Sequence, residues 1–258
     1  MDGVRLTWLG VSAAAAELAP LRVAVMNLII GAAAFVSSLT GFGYALVASP
    51  CMVLLFPPRT AVPVTMLSWV PLAAALTWEA RRQMEWGRIG RWMLGAAVGI
   101  PLGVYGLATA SEGIMRAAIG AASLLAAGTL WLKPSRPFRR EGLLAPLAGA
   151  MSGLVGGATG MSGPPVILFG LNQGWQVAAL RANLIGYFAA KNLLSLAFLA
   201  EFGVLAPGTV ALGLAALPGM AVGYWAGMRL RERVSARRFR ALALGLVAAA
   251  ALLALLRH

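Results

Sequence analysis

The residues best suited to chemistry are Thr159-Gly160-Met161-Ser162-Gly163-Pro164-Pro165, inside an otherwise apolar stretch, 143–171. Residues 153–165 hold five glycines and two prolines. Glycine is costly in a helix interior and proline more so. Pro164 and Pro165 carry no amide hydrogen, so a helix starts on them more readily than it runs through them. The pattern predicts a helix that stops near Thr159, an unwound turn, and a new helix from about Gly163. The amides and dipole of a helix start attract anions. Gly160 and Gly163 let a ligand approach the backbone, Ser162 takes the N-cap position, and Thr159 adds a hydroxyl. Thr40-Gly41-Phe42-Gly43, followed by Pro50, has the same character and is expected to present Thr40, Gly41, Phe42 and Gly43 from the opposite leaflet. The competing reading of these small residues is close helix packing, which is ordinary in membranes.

One cation belongs with these breaks. Lys191 is the fifteenth residue of the apolar run 177–199. A lysine at the centre of a span costs about 3 kcal/mol on insertion scales, and no acidic residue lies at that depth of the sequence. A bound anion would compensate it; alternatively, the side chain lies nearer the surface and snorkels. Asn183 and Asn192 share that run, and each can donate to an oxyanion or join helices. Arg181, near the start of the run, reads as a topology charge. Cys51 reads as a small buried side chain, and as the single cysteine it excludes an intramolecular disulfide. The only His ends the chain, no pair of carboxylates sits in a span, and no metal-ligand cluster is visible. Neither an enzyme nor a cofactor or metal protein is expected.

The elements that must hold these residues are membrane helices. The chain of 258 residues is 60% hydrophobic and 11% charged, with a mean hydropathy of +0.82; soluble domains carry roughly a quarter charged residues. Spanning runs, which need ~20 apolar residues, are read at 61–78, 92–108, 114–132, 177–199, 207–228 and 239–256. Runs 23–39 with 43–56, and 143–158 with 166–171, flank the two breaks. The predicted class is all-α: a polytopic membrane protein of two helical halves, with broken or re-entrant helices meeting at the midplane. The divisions are an N-terminal segment 1–22, a first repeat 23–132, a basic linker 133–141 and a second repeat 142–258. Whether the broken pieces are full crossings or hairpins stays open.

The net charge of +13 comes from arginines in short loops. Topology and anionic headgroups explain them, and no nucleic acid is implicated. Segments 81–91, 133–141 and 229–240 carry net +3, +3 and +5, whereas 109–116 sums to zero and 201–207 has no base. The positive-inside rule puts the three basic loops in the cytoplasm. Thr40-Gly41 and Thr159-Gly160 are 119 residues apart, and Gly99/Gly103 and Gly219/Gly223 are 120 apart, which suggests a duplication. The basic loop precedes the first glycine pair and follows the second. Equivalent spans therefore cross in opposite directions, as in inverted-repeat transporters with their site between the repeats.

At these residues the chain resembles the sulfite exporter TauE/SafE family of membrane permeases. The resemblance rests on 40–43 with Leu46, Val47 and Pro50, and on Gly153, Gly156, Gly157, Gly160 and Gly163-Pro164-Pro165. It implies a permease of the plasma membrane, the bacterial inner membrane, with two related halves. It also implies a substrate among small sulfur-containing anions such as sulfite and organosulfonates. The residues themselves argue only for a small anion, with the lipid bilayer as the other partner. An anion channel and a non-transporting assembly factor stay as alternatives. Direction and coupling ion are open, and a homo-oligomer is compatible with the sequence.

The charge bias makes a topology prediction. In a Cys51→Ala background, Gly203→Cys should react with a membrane-impermeant maleimide on intact cells. Gln83→Cys should react only after permeabilisation; the reverse pattern would invert the assignment.

Overall fold

The computed structural model describes residues 3–129 and 140–230. Among these, every regular element is helical. In chain order they are α1 (Gly3–Thr40), α2 (Tyr44–Leu55), α3 (Pro58–Ala80), α4 (Trp86–Thr109), α5 (Glu112–Thr129), α6 (Glu141–Thr159), α7 (Gly163–Asn172), α8 (Val177–Glu201), α9 (Pro207–Ala215) and α10 (Leu217–Leu230), with a 3-10 turn, Arg81–Gln83, after α3. Six stretches are long and apolar enough to cross a bilayer: Pro20–Thr40, Pro58–Gln83, Trp86–Thr109, Glu141–Thr159, Val177–Glu201 and Pro207–Leu230. The chain is an all-α polytopic membrane protein. The expected last span, 239–256, lies outside the described residues. So do most of the basic linker, most of the last basic segment and the end of the 114–132 run.

Both breaks fall where the glycine and proline pattern places them. α1 stops at Thr40 and α2 starts at Tyr44; α6 stops at Thr159 and α7 starts at Gly163. Gly43 (φ 96°) and Gly160 (φ 79°) are left-handed, a conformation that only glycine adopts without strain. Each short helix stays beside the one before it: α2 packs on α1, and α7 on α6. Ser162 thus returns to Ser152 of α6, whose hydroxyl donates to the Ser162 carbonyl.

The long helices pack through glycine. α4 lies along α6, α10 lies along α1, and α3 meets α8. Gly95, Gly99 and Gly103 of α4 stand against the carbonyls of Pro146, Ala150 and Leu154. Gly219, Gly223 and Gly227 of α10 stand against those of Asn27, Gly31 and Phe35. A Cβ on Gly153 would come within 2.9 Å of Ala96 Cα, and one on Gly157 within 2.7 Å of the Ile100 carbonyl oxygen. Without a hydrophobic drive between helices in lipid, such close backbone approach is what holds them. The carbonyls that Gly99 and Gly223 meet, those of Ala150 and Gly31, are 119 residues apart, the spacing of the two breaks. With a glycine at every fourth position on both helices, sequence offset alone fits two registers.

The run read as one span at 207–228 is divided at Ala216. Pro218 removes an amide from the ladder. Asn27 inserts into the gap: its Nδ2 donates to the Ala215 carbonyl at 3.0 Å, and its Oδ1 accepts from the Gly219 amide at 2.8 Å. These are the two groups an unbroken helix would join directly. A polar side chain from α1 thus replaces a backbone bond and fixes the bend.

The glycine contacts predict opposite signs for two similar changes on α4. Gly106 has nothing within 4 Å of its Cβ direction, so Gly106→Ala should stabilise by up to about 1 kcal/mol. Gly99→Ala should destabilise by about 1–3 kcal/mol through overpacking against Ala150. Melting temperatures in detergent would show the two shifts; equal shifts would contradict the close approach.

Candidate functional site

The two breaks line one cavity of about 60 Å³, several times the space that holds one water. Gly43 to Leu46 at the start of α2 border one side, and Gly160 to Gly163 at the start of α7 border the other. Residues of α3 and α8 close the wall between them, among them Thr65, Trp69, Phe188 and Lys191. Two helix starts therefore address one space, with aromatic and methionine side chains around it.

The two starts differ in what they offer. No side chain caps α2 or α7. At α2 the first-turn amides of Tyr44, Ala45 and Leu46 precede the first intrahelical bond, from the Val47 amide to the Gly43 carbonyl. At α7 Pro164 and Pro165 follow Gly163 immediately, so of the first three helical positions only Gly163 keeps an N–H. The sequence expectation of a row of free amides there holds for α2 and is cut short at α7. The prolines also explain Ser162. It stands at the N-cap, but a cap hydroxyl bonds the second or third helical amide, and both are proline nitrogens. Its Oγ instead accepts from Lys191 Nζ at 2.8 Å.

Lys191 thus places its amine at the helix start that keeps a single amide in its first three positions. It is 2% exposed, so its side chain is in the protein interior rather than snorkelling. No carboxylate lies on the cavity wall, and no ion pair of Lys191 exists among the described residues. Ser162 is held from two directions. Tyr187 donates its hydroxyl hydrogen to Ser152 Oγ at 2.9 Å, and Ser152 donates to the Ser162 carbonyl. Asn192, one residue beyond Lys191, donates to the Met66 carbonyl at 3.1 Å and ties α8 to α3 at the cavity wall.

Of the ten residues expected at the site, Phe42, Gly43, Gly160, Ser162, Gly163 and Lys191 line the cavity. Thr40, Gly41, Thr159 and Asn183 lie off its wall. Thr40 and Thr159 stabilise the turns: their hydroxyls donate back to the Val36 and Val155 carbonyls at 2.9 and 2.7 Å. They also accept from the amides of Phe42 and Met161. Gly41 makes room for Arg181, whose Nε would be 2.6 Å from a Cβ there. Asn183 Oδ1 accepts the Glu85 amide at 2.7 Å and so anchors the turn that leads into α4. Ser37, Tyr44, Thr65, Trp69 and Phe188 line the cavity without having been singled out in the sequence. Trp69 and Phe188 are 119 residues apart, the spacing of the two breaks, which is the one sequence signal that would have found them.

The chain is matched over residues 26–254 by the family model for the sulfite exporter TauE/SafE. The match covers nearly the whole chain, and the protein belongs to that family. This makes it a membrane transporter of a non-enzymatic class, with the bilayer and a small anion as its partners. No curated protein and no solved structure matches the chain.

The position of Asn183 gives a prediction that separates structure from binding. Asn183→Ala leaves the Glu85 amide without its acceptor and should cost about 1–3 kcal/mol of stability. The apparent affinity for a transported anion should stay unchanged. A large loss of affinity at unchanged stability would return Asn183 to the substrate site.

Proposed function

We propose that the protein is a secondary transporter that moves sulfite or an organosulfonate across the plasma membrane by alternating access. The observation that carries this reading is the joint placement of Lys191 and two helix starts on one cavity free of carboxylates. An oxyanion there meets the amides of α2 on one side and the Lys191–Ser162 pair on the other. Charge-assisted bonds of this kind are about twice as strong as neutral ones, and they would offset the cost of a lysine in the interior. The sulfur chemistry of the substrate comes from the family; the positive, donor-rich cavity is what makes an anion suitable here.

The alternating-access reading draws on the packing. α4 lies on α6 as α10 lies on α1, while α3 faces α8. The glycines of α4 and α10 correspond at an offset of 124, and the carbonyls they meet on α6 and α1 correspond at 119. Each half thus sets a glycine-rich helix against the first helix of the other half. With the opposite charge bias of the loops, this fits an inverted repeat whose halves rock about the cavity between them. The halves are 23–132 and 142–258, joined by the linker 133–141.

Flux into proteoliposomes is the direct test. Sulfite or sulfoacetate uptake should saturate and should accelerate when the same anion is loaded inside. Lys191→Met should lower kcat/KM by roughly 100-fold while the protein stays folded, because removing a buried charge need not destabilise. Ser162→Ala should cost roughly tenfold. Flux that neither saturates nor responds to internal anion would make the protein a channel; unchanged flux in Lys191→Met would contradict the site.

A further inference from the structure

Ser37 of α1 and Trp69 of α3 line the cavity from the half opposite Lys191. Ser37 is fully buried and Trp69 is 7% exposed. Neither Ser37 Oγ nor Trp69 Nε1 has a hydrogen-bond partner among the described residues. A buried polar group without a partner is costly, and such exceptions call for a reason. The neighbouring polar side chains on the wall are already engaged. The Tyr44 hydroxyl pairs with Ser68 Oγ at 2.8 Å, and Thr65 Oγ1 donates to the Ala61 carbonyl at 2.8 Å. Asn192 spends an amide hydrogen on Met66.

What is left over is mainly donors, with the Ser37 hydroxyl able either to donate or to accept. An indole N–H donates and accepts nothing, and an ammonium has three hydrogens and no acceptor. Trp69 offers one N–H, Ser37 offers a hydroxyl, and Lys191 has two hydrogens beyond the one given to Ser162. The first-turn amides of α2 add to these. Against them the wall carries no carboxylate, and Asn192 Oδ1 is its only side-chain carbonyl oxygen.

We infer that Ser37 and Trp69 are substrate-contacting residues and that Trp69, with Lys191, selects an oxyanion that carries no hydrogen of its own. This rests on the anion-transport reading above and narrows it to a specificity rule. Every oxygen of a sulfonate is an acceptor at neutral pH. A phosphonate monoanion has the same charge and nearly the same shape, but one oxygen bears a hydrogen. The Trp69 N–H and the Lys191 ammonium cannot accept that hydrogen, so where it meets either of them one donor of the site is left unmatched. A mismatch of this kind discriminates through the unpaired groups it creates.

Methanesulfonate and methylphosphonate at pH 6, both monoanions, are the matched probes. Their binding to the full chain in detergent would be measured by calorimetry, beside sulfite flux in proteoliposomes. Methanesulfonate should bind at least about tenfold tighter. Trp69→Phe should weaken methanesulfonate several-fold and methylphosphonate less, so that the ratio narrows; Ser37→Ala, which removes a group that both donates and accepts, should weaken the two alike. The ligand-free melting temperature of Ser37→Ala should not fall, since that change removes an unpaired group. Equal affinity for the two probes, or a ratio unchanged in Trp69→Phe, would overturn the inference. A preference for methylphosphonate would overturn it too and give Asn192 Oδ1 the role of acceptor. Sulfite flux without binding of either probe would sink this inference and leave the anion reading standing; if no anion binds or moves, both fail.

Discussion

A buried lysine side chain, with a serine hydroxyl as its neighbour, is the constraint around which the rest is arranged. Lys191 is buried on α8 and donates a hydrogen bond to Ser162 Oγ. Ser162 is available because two prolines behind it leave its hydroxyl nothing to cap. Those prolines also end the turn that α6 began, and so they create the cavity that Lys191 faces. One short run, Ser162 to Pro165, therefore breaks the helix, frees the hydroxyl and thins out the backbone donors that the lysine replaces. The network of Tyr187 and Ser152 then holds Ser162 in place. On the opposite side α2 keeps its first-turn amides and needs no cation. In the first half Leu72 stands 119 residues before Lys191. The cavity is bordered by two broken helices but is electrically one-sided.

Such a cavity persists only if the surrounding helices are fixed. In lipid that falls to backbone contact rather than apolar burial. Rows of glycine on α4 and α10 bring them against α6 and α1, the helices that carry the breaks. Asn27 adds a polar clasp where α10 is bent. The same glycine rows give smooth surfaces on which one helix can shift against another, so the contact that holds the site is also suited to movement.

The breaks were legible because their cause is local. Glycine and proline act on the backbone within a few residues, and the helix ends at Thr40 and Thr159 follow directly. Lys191 was legible because a charge in an apolar run is an anomaly whatever surrounds it; its direction was not, since burial or snorkelling depends on α6 and α7. Ser37 and Trp69 were hidden for the opposite reason: a serine and a tryptophan in a membrane helix are unremarkable until packing leaves their hydrogens without partners. Asn183 misled because it shares a helix with Lys191. Eight residues are about 12 Å along the axis, and at that distance Asn183 meets the Glu85 turn. The glycine offset alone fixes no register, because a four-residue repeat matches itself one turn away.

The most direct measurement is the position of a bound anion in an experimental structure of the protein with selenite, whose selenium scatters anomalously. The anion should lie between the starts of α2 and α7, with an oxygen about 3 Å from Lys191 Nζ, and should be absent in Lys191→Met. Selenium found only beside the loop arginines, with the cavity unchanged in Lys191→Met, would contradict the account.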